Sequence, residues 1–154
     1  MRTTIRKARA SDIAELTRIA HAAKRHWGYS EKLIRLWKHD LTVTPEVIER
    51  EPVYCAIRER KIAGFYALSC TGKTCEIEHM WVDPRHIGTG IGHLLFAHLL
   101  KRLREMKVTR LEIASDPNAE GFYLRMGARR DGQVASRPPG RSIPLLVMRV
   151  VKDH

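Results

Sequence analysis

Cys75–Leu103 reads CEIEHMWVDPRHIGTGIGHLLFAHLLKRL, and this stretch decides the fold. A half-apolar run ends at Val82, Pro84 marks a turn, and Gly88, Gly90 and Gly92 alternate through a short loop. An apolar stripe of Ile91, Leu94, Leu95, Leu99, Leu103 and Met106 then recurs at helical spacing. Strand, glycine loop and helix in that order predict an anion cradle. The glycines permit φ > 0 and let a ligand approach main chain that carries no Cβ. A helix starting near Gly90 leaves its first N–H groups unpaired and carries roughly half a positive charge at that end, which stabilises an anion.

Two phosphate-loop patterns are excluded by residues. A Walker loop needs Lys and then Ser or Thr after its last glycine, whereas Gly92 is followed by His93 and Leu94. A dinucleotide fingerprint needs GxGxxG, and GTGIG has the wrong spacing.

Upstream, Thr3–Arg9 reads as a short edge strand. Ser11 is the expected cap of a helix running to about His26 and stopping at Gly28. Ser30 caps a second helix with Leu33, Ile34, Trp37 and Leu41 on one side, and Thr44-Pro45-Glu46 starts a third. Val53–Arg58 and Ile62–Cys70 form a hairpin about Glu59-Arg60-Lys61, and Thr71-Gly72-Lys73 turns the chain into the strand Thr74–Val82. Arg110–Ser115 follows a helical crossover and is therefore expected parallel to its neighbour. A short helix ending at Gly127 and two strands, Ala128–Val134 and Leu145–Val151, complete one mixed α/β domain over residues 1–154.

The 154 residues suffice to bury about two thirds of the unfolded surface. No apolar run approaches the ~20 residues that span a bilayer, and the first residues lack the apolar core of a signal peptide, so a cytoplasmic protein is expected. Three cysteines, Cys55, Cys70 and Cys75, show neither a CxxC pair nor a ligand-spaced His and read as reduced structural thiols; no metal is implied. The net charge of +11 admits a basic nucleic-acid-binding domain, but the cations are spread over every segment without an aromatic-interleaved stripe, which favours solvated faces.

Val82-Asp83-Pro84 leading into Gly90-Ile91-Gly92 resembles the pyrophosphate loop of the GNAT superfamily of acyl-CoA-dependent N-acyltransferases. The family's usual Arg or Gln is Ile87 here, which removes one side-chain contact to the pyrophosphate and leaves the main-chain contacts. Ala119, Phe122, Tyr123 and Gly127 resemble a second family element, with Ala128 replacing its final aromatic. The resemblance covers about residues 50–130. It implies a mostly antiparallel sheet of about seven strands, helices on both faces and a splayed central pair. It implies acetyl-CoA as cosubstrate, a small-molecule or peptide amine as acceptor, and a homodimer.

The resemblance also distributes roles. Ile87, Gly88, Thr89, Gly90, Ile91, Gly92 and His93 would hold the diphosphate, and strand N–H groups near Met80, Trp81 and Val82 the thioester carbonyl. Asp116 or Asn118 would meet the pantetheine arm. Glu76 and Glu78, on one face of a strand, are the implied bases, with Glu112 a third; mutual repulsion and partial burial should raise at least one of their pKa values. His79 falls on the opposite face, packed or facing substrate. Tyr123 is the implied acid for the departing thiolate and would also touch the cosubstrate. Trp27, Tyr29 and Trp37 are candidate acceptor walls. A further reading of the chain is an acyl-CoA sensor that keeps the cradle without turnover.

Overall fold

The computed structural model describes residues 2–151. Strand β1 (Thr3–Lys7) is followed by helices α1 (Ile13–His26), α2 (Glu31–Leu36) and α3 (Pro45–Arg50). Strands β2 (Val53–Arg58), β3 (Lys61–Thr71) and β4 (Thr74–Val82) lead to α4 (Ile91–Glu105) and β5 (Arg110–Ala114). A short helix α5 (Glu120–Arg125) precedes β6 (Arg129–Ala135) and β7 (Ser142–Arg149). The seven strands form one sheet in the order β1-β2-β3-β4-β5-β7-β6. β4 and β5 are parallel, as the helical crossover requires, and β1–β2, β2–β3, β5–β7 and β6–β7 are antiparallel.

By packing, the chain divides into two units, Met1–Leu68 with Glu78–His98, and Ser69–Ile77 with Leu99–His154. In the first, β3 alternates between two faces. Phe65 and Ala67 join Leu16, Ile19 and Ala20 of α1 and Ile34 of α2 in one buried cluster. On the opposite face Gly64 meets Ile91 and Leu95 of α4, and a Cβ there would stand 2.7 Å from the main-chain oxygen of Trp81. Only glycine permits that approach. The Ser30 and Thr44 hydroxyls accept from the N–H groups of Leu33 and Val47, as their cap positions lead one to expect.

Ser11 does not cap α1. It lies in a single 3-10 turn, Ala10–Asp12, whose closing Asp12 accepts from the Arg9 N–H at 2.8 Å and from both terminal nitrogens of Arg6 at 2.8 and 3.0 Å. A carboxylate can serve the main-chain donor and the guanidinium fork together, which a hydroxyl cannot. Those bonds hold the Asp12 carboxyl below its ordinary range against the opposing effect of burial.

In the second unit Leu99, Leu103, Leu111 and Leu146 are wholly buried. The β4–β5 ladder comprises Thr74–Glu76 against Arg110–Glu112 and then stops, as a splayed pair requires. The cysteine expectation is overturned. Cys70 and Cys75 form a disulfide, and only Cys55, fully buried, is a free thiol. The tight turn between β3 and β4 brings the two Cα atoms to 4.0 Å, a proximity that an odd cysteine count conceals.

Candidate active site

The loop ahead of α4 is anchored before it is open. Asp83, 1% exposed, donates its N–H to the Ala63 carbonyl at 2.8 Å and accepts from the Arg85 N–H at 3.1 Å, capping a 3-10 turn over Pro84–His86. Its carboxylate also receives Arg18 from α1 at 2.7 Å and Arg85 at 2.7 Å. Burial pushes this carboxyl up, but the hydrogen bonds from Arg85 and Arg18 prevail and hold it far below the usual carboxylate range. The Arg18 contact, spanning 65 positions in sequence, leaves no trace in the motif.

Beyond that anchor, Gly88 and Gly90 take φ of +80° and +86°, conformations that favour glycine. Nothing lies within 4 Å of where a Cβ would stand on either. Among the described residues, the N–H groups of Gly88, Gly90, Ile91 and Gly92 have no acceptor in the protein. They open the fifteen-residue α4 at its positive end. Two members of the expected cradle contribute differently. The Ile87 N–H turns back to the Pro84 carbonyl at 3.4 Å, and both the N–H and the hydroxyl of Thr89 are committed to the His86 carbonyl. Ile87 shows an apolar side chain that is 51% exposed, and His93 is exposed on the first turn of α4. Four N–H groups without a protein acceptor, with open space beside two glycines, fit a diphosphate.

Along β4 the burial alternates as its period demands. Glu76 and Glu78 are exposed, and His79, next after Glu78, is buried. Neither carboxylate has the partial burial expected of it. Glu76 stands opposite Glu112 in the parallel ladder, and Glu112 is paired with Arg110 at 3.0 Å. Met80, Trp81 and Val82 are half-buried. His79 packs against Phe65 with ring centroids 5.6 Å apart, and its Nδ1 accepts the Trp81 indole N–H at 3.0 Å. Burial lowers its pKa to about 4, so the ring is neutral and spent on packing.

The aromatic wall is divided. Trp27 is 42% exposed, Tyr29 half-buried, and Trp37 core at 4% exposed. Tyr29 and Trp37 meet edge-on, with centroids 4.9 Å apart. The ammonium of Lys24 lies over both rings at 4.9 and 4.6 Å and 6.0 Å from that of Trp81. Lys24 was invisible in the α1 pattern, where a lysine reads as solvent-facing.

In the second unit, Asp116 and Asn118 form one device. The Asp116 carboxylate accepts from the Asn118 N–H at 2.8 Å and from its amide at 2.9 Å, in the turn that leads into α5. Tyr123 on α5 is 5% exposed; burial, reinforced by the charge of Asp116, pushes its phenol well above the ordinary value.

Comparison with known proteins agrees with this fold. Residues 28–148 match the family model of the acetyltransferase (GNAT) domain. The peptidyl-lysine N-acetyltransferase YjaB of Escherichia coli is 26% identical over 133 residues, covering 75% of this chain and 86% of that protein. Among solved structures, the PaiA N-acetyltransferase of Thermoplasma acidophilum in complex with coenzyme A superposes with a TM-score of 0.81 at 18% identity, covering 97% of this chain and 99% of that one. The ribosomal-protein-S18-alanine N-acetyltransferase of Escherichia coli does so with a TM-score of 0.74 at 19% identity, over 99% and 97% of the two chains. No helix among the described residues is long and apolar enough to cross a membrane, and no cluster of side chains among them is built to hold a metal ion. The chain belongs to the GNAT acetyltransferase family and is an enzyme that draws its acetyl group from acetyl-CoA.

Proposed function

We propose that residues 1–154 act as one N-acetyltransferase domain that modifies a primary amine by direct attack on the thioester. The observation that carries this reading is the loop from Gly88 to Gly92, with two left-handed glycines and four N–H groups lacking acceptors at the positive end of a long helix. Acetyl-CoA, when bound, supplies the activated acyl carbon.

The chain's own residues supply position and proton traffic. Main-chain N–H groups of Gly88, Gly90, Ile91 and Gly92 neutralise the diphosphate, and β4 N–H groups near Met80–Val82 take the carbonyl oxygen. Glu78 or Glu76 removes the ammonium proton through water, which suits carboxylates that stand exposed. Tyr123 returns a proton to the leaving sulfur. The phenol is protonated at neutral pH whether buried or not, and its burial makes it a weaker acid, so the assignment rests on the resemblance and on its place on α5.

The acceptor is a primary amine, and the side chain of a peptidyl lysine is the first to try, on the strength of the likeness to YjaB. The reaction is placed in the cytoplasm. The test is acetyl-CoA turnover against a panel of lysine peptides, peptide amino termini, amino acids and polyamines, read by product mass. Acetylation of one amine class supports the assignment; cosubstrate binding without turnover of any class would reduce the protein to a sensor.

A further inference from the structure

We propose that the groove flanked by Arg18, Arg60, Lys61 and Arg85 is a second anion site, built for a phosphoryl dianion and separate from the glycine cradle. The groove encloses about 680 Å³ within the first unit. Its walls carry five cations, the four named and Arg6, against two acids, Asp12 and Glu15; Ile57 and Ile62 add apolar surface.

The internal pairing leaves a defined remainder. Arg6 is matched by Asp12, and Arg18 and Arg85 by Glu15 and the buried Asp83 behind them. Among the described residues, neither Arg60 nor Lys61 has an acidic partner. Two unmatched positive charges fit a dianion, whereas a carboxylate would neutralise one. Both residues are exposed at the turn between β2 and β3. Arg58 pairs with Lys61 across a two-residue turn in which Glu59 and Arg60 both adopt positive φ, 52° and 65°. This is the turn form that two-residue hairpins favour, and it presents Arg60 beside Lys61.

The phosphoryl group has two sources, the 3′-phosphate of coenzyme A or a separate phosphorylated molecule, and both use the same chemistry. Calorimetric titration with inorganic phosphate at constant ionic strength, on the free and the CoA-saturated protein, compares wild type with Arg60→Gln/Lys61→Gln. Titrations of CoA and 3′-dephospho-CoA complete the set. We expect the double variant to lose at least tenfold in phosphate affinity at one site. If phosphate still binds the CoA-saturated wild type and 3′-dephospho-CoA binds as CoA does, the ligand is separate. If CoA blocks phosphate, and loss of the 3′-phosphate weakens CoA binding to wild type but not to the double variant, the ligand is the nucleotide's own phosphate. Equal phosphate and CoA affinities in wild type and double variant overturn the site. No arm depends on turnover, so its failure is distinguishable from failure of acetyl transfer.

Discussion

The indole N–H of Trp81 donates to Nδ1 of His79 across 3.0 Å, so the buried imidazole carries its proton on Nε2 and has no lone pair left at Nδ1. A strand histidine beside two glutamates would otherwise be the first choice for a base. Its pKa of about 4, against 6.5 when unfolded, makes it a stability element. The unfolded chain binds the proton first, so the contribution is complete above pH 6.5 and is lost as pH falls toward 4. The loss by pH 4 amounts to about 3 kcal/mol. Denaturant midpoints from pH 7 to pH 4 should fall in wild type and flatten in His79→Gln, while the pH profile of kcat/KM keeps its shape.

The strand glycine Gly64 and the loop glycine Gly90 should fail differently. Gly64→Ala drives a Cβ to 2.7 Å from a main-chain oxygen and should cost about 1–3 kcal/mol in unfolding free energy. In Gly90→Val the Cβ meets no atom within 4 Å, but the residue needs a φ of +86°. It should keep its far-UV circular dichroism and lose at least about tenfold in CoA affinity, since the strain of ~1–2 kcal/mol falls on the loop alone. Retained CoA affinity in Gly90→Val would remove the cradle assignment.

For Tyr123, removal of the hydroxyl separates acid from packing. Tyr123→Phe should lower kcat by about a hundredfold or more and leave the dissociation constant of CoA nearly unchanged. Equal losses in both would mean that the ring only fills space.

Glu76→Gln and Glu78→Gln are best compared across pH. The variant that lacks the working base should lose the acidic limb of kcat/KM and about tenfold to a hundredfold of its plateau. If both profiles keep that limb, the proton leaves by another group, and Glu112 is the next to replace.

The disulfide makes a count possible. Protein purified without reductant and unfolded in guanidinium should show one titratable thiol, Cys55; three would mean that Cys70 and Cys75 stand reduced.

Local signals carried much of this architecture. The strand Thr74–Val82 ends where the period-two pattern ends, the caps at Ser30 and Thr44 sit where a hydroxyl precedes a helical run, and the parallel β4–β5 pair follows from a helix too long for a hairpin. What the pattern withheld depends on partners distant in sequence. Asp12 displaced Ser11 as the organiser of α1 because Arg6 lies across from it. Asp83 is fixed by Arg18, and Lys24 is buried under rings from three separate segments. Periodicity assigns a face to a residue and says nothing about who waits on it. Gly64, a lone glycine within IAGFYAL, marks in sequence the close main-chain approach found there.

Strand β6 closes the sheet at one end of its strand order, and its register slips between Arg130 and Gln133, where Arg129, Arg130 and Asp131 crowd the exposed surface. A flat, apolar border would template the growth of fibrils; this one is kinked and charged, so a stray strand finds neither matching hydrogen bonds nor a neutral surface. The same few residues that end the sheet therefore keep a concentrated solution of the enzyme from polymerising through that border.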